Sequence, residues 1–123
     1  MKSKIYITGA AGFIGFHAAK KFLDKGIKVH GFDSINDYYD INLKRLRLNI
    51  LRKYKNFSFT KGQLEKQKIL NKSVLKFKPT IIIHLAAQAG VRYSIDNPDT
   101  YLNSNIVGTF NVIKIADKVK VKH

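Results

Sequence analysis

The sequence predicts an α/β fold with a doubly wound parallel sheet that stops after about four strands. Short apolar stretches alternate with amphipathic stretches of helical period along the 123 residues, and parallel strands need such helices as crossover connections. A glycine-rich turn, with Gly9, Gly12 and Gly15 spaced three apart, joins the first strand to the first helix. The length suits a single domain spanning residues 1–123.

The predicted strands cover residues 4–8, 27–32, 57–59 and 81–87, and the last of these is apolar on both faces. Predicted helices follow at residues 12–26, 39–54, 64–77 and 97–119. In the second helix we expect Leu43, Leu46 and Ile50 to face inward. The last helix opens at Asn97-Pro98 and presents one apolar stripe, formed by Leu102, Ile106, Phe110 and Ile113.

The glycine turn has the pattern of a phosphate cradle, because a helix that starts just after such a turn aims its free N–H groups at an anion. Asp33 ends the second strand 18 residues after Gly15. A carboxylate near this offset accepts hydrogen bonds from an adenosine ribose and repels a 2′-phosphate, which favours NAD over NADP. Two alternatives stay open: a tight turn without a ligand, and an Asp33 that only caps the next helix.

The chain is strongly basic, with a formal net charge of +15. Between Asn42 and Lys78 there are 12 basic residues and one acid, Glu65. No nucleic-acid motif accompanies this charge, so a solvated basic surface is the favoured interpretation and a nucleic-acid or polyanion-binding module is the alternative. The absence of cysteine fits a cytoplasmic protein, and no stretch is long and apolar enough to suggest a membrane span. We predict no metal site.

Three stretches of the sequence are distinctive: Thr8-Gly9-Ala10-Ala11-Gly12-Phe13-Ile14-Gly15-Phe16-His17, Asn36-Asp37-Tyr38-Tyr39-Asp40-Ile41-Asn42-Leu43-Lys44 and His84-Leu85-Ala86-Ala87-Gln88-Ala89-Gly90-Val91-Arg92-Tyr93-Ser94. They resemble the extended short-chain dehydrogenase/reductase superfamily, the NAD-dependent epimerases and dehydratases, and within it the UDP-glucuronate 4-epimerases. The resemblance continues through Asn105-Ile106-Val107-Gly108-Thr109 and implies a Rossmann-type fold.

The resemblance also implies an NAD site and a loop that faces a nucleotide sugar. The NAD-binding residues would be Gly9, Ala11, Gly12, Phe13, Ile14, Gly15, Asp33, Ser34, Gln63, Leu64, Leu85, Ala86, Ala87 and Asn105. Gln88 and Arg92 would contact the substrate, although helix packing for Asn105 and a solvated loop cation for Arg92 are equal alternatives. Gln63 and Ser34 depart from the Asp and Asn usual in the family, which suggests a looser adenosine pocket.

The family's catalytic Tyr-x-x-x-Lys motif does not occur, because none of the six tyrosines has a lysine four places on. We therefore predict no catalytic residue in this chain. The prediction is an N-terminal NAD-binding fragment of a sugar-nucleotide 4-epimerase that is inactive alone, with the fifth strand and the substrate domain absent. A split epimerase completed by a second chain is an alternative. The fourth strand would leave an open sheet edge, through which we expect self-association or a complementary chain.

Overall fold

The computed structural model describes residues 2–123 and contains one sheet of four parallel strands. The strand order is β3-β2-β1-β4, with β1 and β2 in the centre. The strands are β1 (Lys4–Thr8), β2 (Lys28–Asp33), β3 (Phe57–Lys61) and β4 (Ile81–His84). This confirms the doubly wound fold class, and each strand lies within three residues of its predicted position.

The helices lie between and after the strands. They are α1 (Phe13–Asp24), α2 (Ile41–Leu51), α3 (Gln67–Phe77), α4 (Val91–Asp96), α5 (Pro98–Tyr101) and α6 (Gly108–Lys118), with a π-helical segment (Leu102–Val107) between α5 and α6. Among the described residues no helix is long and apolar enough to cross a bilayer.

The core has two halves, one on each face of the sheet. On one face Ile5, Ile7 and Val29 pack with α1 and the end of α2. On the other face Tyr6 and Phe32 pack with α3 and α6. Successive residues of a strand point to opposite faces, so apolar side chains at consecutive positions of β1 are buried only because helices cover both sides.

The predicted inner face of α2 is wrong in part: Ile50 is half-buried and packs against the core, but the two leucines do not. Leu43 and Leu46 are 42% and 57% exposed, whereas the buried positions are Lys44, Leu48 and Leu51. The helix begins at Ile41, where the Asp40 carboxylate accepts a hydrogen bond from the Asn42 N–H at 2.9 Å. Residues 44, 48 and 51 share one face at helical spacing. The buried face therefore contains Lys44, and the neighbouring Leu43 points to solvent.

The predicted last helix is also wrong in part. The chain forms two short helices and a π-helical segment before α6, and α4 occupies residues for which we predicted a loop. The predicted stripe is exposed, with Leu102, Ile106, Phe110 and Ile113 at 50–63%. The buried face of α6 contains Gly108 and Asn111 with Val112 and Ile115.

Two contacts with Leu64 explain this orientation of α6. A Cβ added at Gly108 would lie 2.6 Å from the Cβ of Leu64, so only glycine allows the helix to come this close. The Asn111 side chain donates to the Leu64 carbonyl at 2.9 Å. A glycine and an asparagine do not register in an apolar pattern, which is why the pattern selected the wrong face.

The outer edge of β4 is partly paired. The Lys122 N–H donates to the Thr80 carbonyl at 2.8 Å, and the Ile82 N–H donates to the His123 carbonyl at 3.0 Å. The last two residues therefore lie along β4, where a fifth strand of this fold would run.

A buried polar cluster joins β2, β3 and α3 beneath Tyr6. His30 is 8% exposed, and its ring contacts the hydroxyls of Ser58 at 2.6 Å, Thr60 at 2.8 Å and Ser73 at 3.1 Å. Burial lowers the pKa of His30 to about 4, and the Lys76 charge adds to this shift. The imidazole is thus neutral in the folded protein at pH 7.

We expect acid to destabilise the fold through His30. Because its folded pKa lies below the unfolded value, its contribution is complete above pH 6.5 and is lost as the pH falls towards 4. One pKa unit corresponds to about 1.4 kcal/mol, so the loss is on the order of 3 kcal/mol. Urea unfolding between pH 7.5 and 4.5 measures it.

His30→Asn should flatten this pH dependence, and His17→Asn, at an exposed position of α1, is the matched control. Burial also lowers the pKa of His84, so part of the slope will remain in the variant. Identical slopes in the two variants would show that His30 does not titrate as described.

Candidate functional site: a cleft at the carboxyl ends of the strands

The glycine turn is held by backbone contacts on both sides. The Gly9 N–H donates to the Phe32 carbonyl at 2.7 Å, and the Gly12 N–H donates to the Gly9 carbonyl at 3.0 Å. Gly9 has a φ of 75°, and a Cβ there would lie 2.9 Å from the Ala86 nitrogen. Both facts require glycine, so the turn fits closely between β2 and the residues after β4.

Helix α1 begins immediately after the turn. Its N-cap is Gly12, which offers no side-chain hydrogen bond to the first turn. Phe13 and Ile14 are 67% and 66% exposed. The first N–H groups of a 12-residue helix thus lack a side-chain acceptor at the position where the sequence predicts a phosphate.

Asp33 connects the glycine turn with the loop after β2. It is 8% exposed; one carboxylate oxygen accepts the Ala11 N–H at 3.0 Å and the other accepts the Ile35 N–H at 2.8 Å. Each oxygen keeps a lone pair for a further donor. The carboxylate is therefore fixed in place and can still accept hydrogen bonds from a ligand hydroxyl.

A cleft of about 360 Å³ opens at the carboxyl ends of all four strands. Most of the predicted site residues line it: Gly9, Gly12, Asp33, Ser34, Gln63, Leu64, Leu85, Ala86, Ala87 and Gln88. Ala11, Phe13, Ile14 and Gly15 belong to the adjoining turn and first turn of α1. The sheet order changes direction between β1 and β4, and open α/β sheets bind ligands beside such a point.

The residues after β4 are positioned by Thr8 and Asn105. The Thr8 hydroxyl accepts the N–H groups of Leu85 at 3.0 Å and Ala86 at 3.1 Å. The Asn105 amide accepts from the Gln88 N–H at 2.7 Å and donates to the Gln88 carbonyl at 3.0 Å. Asn105 therefore contacts the backbone of the cleft wall and does not line the cleft.

Arg92 is not one of the residues that line the cleft. Its side chain is 90% exposed and forms an ion pair with Asp96 at 3.6 Å within α4. The resemblance implies a substrate contact for Arg92, with a solvated cation as the equal alternative, and the ion pair to Asp96 does not decide between the two.

Sequence reasoning missed two parts of the cleft wall. Lys44, which we counted in the basic surface, is 7% exposed and lines the cleft. Three tyrosines also line it, namely Tyr38, Tyr39 and Tyr93. The ring centroids of Tyr38 and Tyr93 are 4.7 Å apart. Both parts belong to the stretches that carry the family resemblance, so the signal was present although no role was assigned to these residues.

The strand order and a cleft at the carboxyl ends of the strands define a Rossmann-type domain. The family model described as GDP-mannose 4,6 dehydratase matches residues 6–123, and the chain belongs to that family. This confirms the predicted relationship to the epimerases and dehydratases.

Its relatives include sugar epimerases. The chain spans about a third of the length of the two relatives compared below. It is 46% identical over 117 residues to the probable UDP-glucuronate 4-epimerase of Rhizobium meliloti, covering 95% of this chain and 34% of the relative. It is 49% identical over 120 residues to the protein CapI of Staphylococcus aureus, covering 98% and 36%.

A solved structure shows the same fold. The Bordetella bronchiseptica enzyme WbmG, in complex with NAD and UDP, superimposes with a TM-score of 0.83 at 25% identity, over 99% of this chain and 36% of WbmG.

Proposed function

We propose that this chain binds NAD and is the N-terminal, cofactor-binding part of a sugar-nucleotide 4-epimerase of the UDP-glucuronate type. The observation that carries the proposal is the fixed Asp33 carboxylate beside an uncapped helix N-terminus, in one cleft at the switch point of the sheet. The relatives named UDP-glucuronate 4-epimerase and the NAD complex of WbmG support it.

The residues of the cleft fit the parts of a dinucleotide. Gly9 and Gly12 line the cleft where a pyrophosphate would lie, and the N–H groups of α1 can donate to it. Asp33 can accept from the ribose hydroxyls, while Gln63 can hydrogen-bond the adenine amino group through its carbonyl. NAD, when bound, supplies the hydride acceptor for oxidation of a sugar carbon.

We further propose that the chain does not turn over a nucleotide sugar by itself. In the family a tyrosine takes the proton from the sugar hydroxyl and a lysine four places on lowers its pKa, and this chain has no such pair. A complementary chain that adds strands beside β4 would supply them in a split enzyme. Co-expression with the reading frame downstream tests this alternative, because only a split enzyme would regain turnover.

Calorimetric titration with millimolar NAD is the test of cofactor binding. We expect weak binding and a rise in melting temperature, because a ligand that binds only the folded state stabilises it. UDP-glucuronate with NAD should give no epimerised product. The absence of both heat and thermal shift would contradict the proposal.

Self-association belongs to the same proposal. The outer edge of β4 pairs with residues 122–123 only near Thr80 and Ile82, and strand edges recruit partners. Light scattering at high protein concentration checks this, and a monodisperse monomer would contradict it.

A further inference from the structure

Lys44 is a buried cation at the wall of the cleft. It lies in the first half of α2 and is 7% exposed. Its ammonium donates to the carbonyl of Asn36 at 3.1 Å and to the side-chain oxygen of the same residue at 3.0 Å. Both acceptors are neutral, so these contacts leave the charge without a counterion.

The charge of Lys44 is unusual for its burial. Lysine is almost never fully buried unless paired, because removing a charge from water is costly. Within residues 2–123 the ion pairs join Lys20 to Asp24, Arg92 to Asp96 and Lys120 to Asp117, and none involves Lys44. An ammonium also has three donors, of which Asn36 uses two.

The cleft is the place from which a counterion can come. Lys44 lines it together with the glycine turn and Asp33. A nucleotide in this cleft carries phosphates, and lysine binds a phosphate as a compact point charge. The burial that makes an unpaired charge at Lys44 costly would strengthen its attraction to such a group, because water screens the pair less.

We propose that Lys44 is a phosphate-binding residue of this cleft, which completes its ion pairing only when a nucleotide is bound. This inference rests on the proposed function. The phosphate can be the pyrophosphate shared by NAD and ADP-ribose, or a 2′-phosphate found only in NADP. Binding to the second would counteract the discrimination that Asp33 imposes against NADP.

The competing role for Lys44 is a brace that holds Asn36 and the loop after β2. Two neutral substitutions separate the roles. Lys44→Met removes the charge and the donors, whereas Lys44→Gln removes the charge and retains an amide that can donate to Asn36. Arg45→Met, at an exposed position of the same helix, is the matched control for the loss of one positive charge.

The experiment measures the affinity of each variant for adenosine, ADP-ribose, NAD and NADP. The chain has no tryptophan, and Tyr38, Tyr39 and Tyr93 line the cleft, so tyrosine emission reports binding. We expect Lys44→Met and Lys44→Gln to weaken the phosphate-containing ligands by about 10- to 100-fold and to leave adenosine unchanged. Arg45→Met should change every affinity by less than about threefold.

The pattern of losses identifies the phosphate. A loss for ADP-ribose, NAD and NADP assigns Lys44 to the pyrophosphate, and a loss for NADP alone assigns it to the 2′-phosphate. The inference is overturned if Lys44→Gln binds like the unmodified chain, or if adenosine weakens as much as ADP-ribose. If the unmodified chain binds none of the four ligands, the proposed function itself fails. Should Lys44→Met not fold, Lys44→Gln decides the result.

Discussion

Gly15→Ala is expected to lower the free energy of unfolding by about 3 kcal/mol. A Cβ at Gly15 would lie 2.0 Å from the Gly9 carbonyl oxygen and 2.8 Å from its carbon. Those atoms belong to the glycine turn. The turn is held in place because the Gly9 N–H donates a hydrogen bond to the Phe32 carbonyl and Gly9 packs against Ala86. The helix must therefore separate from the turn, or the turn must lose its contacts.

Urea unfolding of Gly15→Ala and Gly26→Ala provides the comparison. Gly26 has a φ of 79°, but a Cβ there would meet nothing within 4 Å. That substitution should cost only the strain of the left-handed backbone, about 1 kcal/mol. Equal losses for the two variants would show that close packing at Gly15 does not matter.

Asp33→Asn is expected to weaken NAD binding by about 10- to 100-fold. The amide that replaces one carboxylate oxygen is a donor, and it must face either the Ala11 N–H or the Ile35 N–H. One backbone donor is left without an acceptor, which should also lower the free energy of unfolding by about 1–3 kcal/mol. The ribose hydroxyls lose a charged acceptor at the same time.

Titration calorimetry and thermal unfolding of the same samples measure the two effects. Asp99→Asn, at an exposed position of α5 outside the cleft, is the matched control. Its NAD affinity and melting temperature should remain at the values of the unmodified chain. If Asp33→Asn binds NAD as tightly as Asp99→Asn does, the ribose does not depend on the Asp33 carboxylate.

The strands, the glycine turn and Asp33 could be predicted because each follows from local chemistry. Apolar side chains at consecutive positions mark a strand covered on both faces, as in β1. The spacing of Gly9, Gly12 and Gly15 marks the turn, and the distance to Asp33 follows from the length of one helix and one strand.

The helix faces could not be predicted in the same way, because they depend on contacts with other elements. Gly108 and Asn111 bury one face of α6 against Leu64, and neither is apolar. Lys44 is buried because Asn36, eight residues earlier, accepts two hydrogen bonds from it. A count of charges assigned this lysine to the surface, and only the packing of α2 shows otherwise.

The contact between Gly9 and Ala86 links the cleft to the order in which the sheet is assembled. Strand β1 pairs with β2 through Lys4 and Lys28, which are close in sequence, but with β4 through Ile5 and Ile81, which are far apart. Closing the longer loop costs more chain entropy. The cleft is complete only after β4 has joined, so a bound ligand should slow hydrogen exchange most strongly at the β4 amides, an effect that exchange with and without NAD measures.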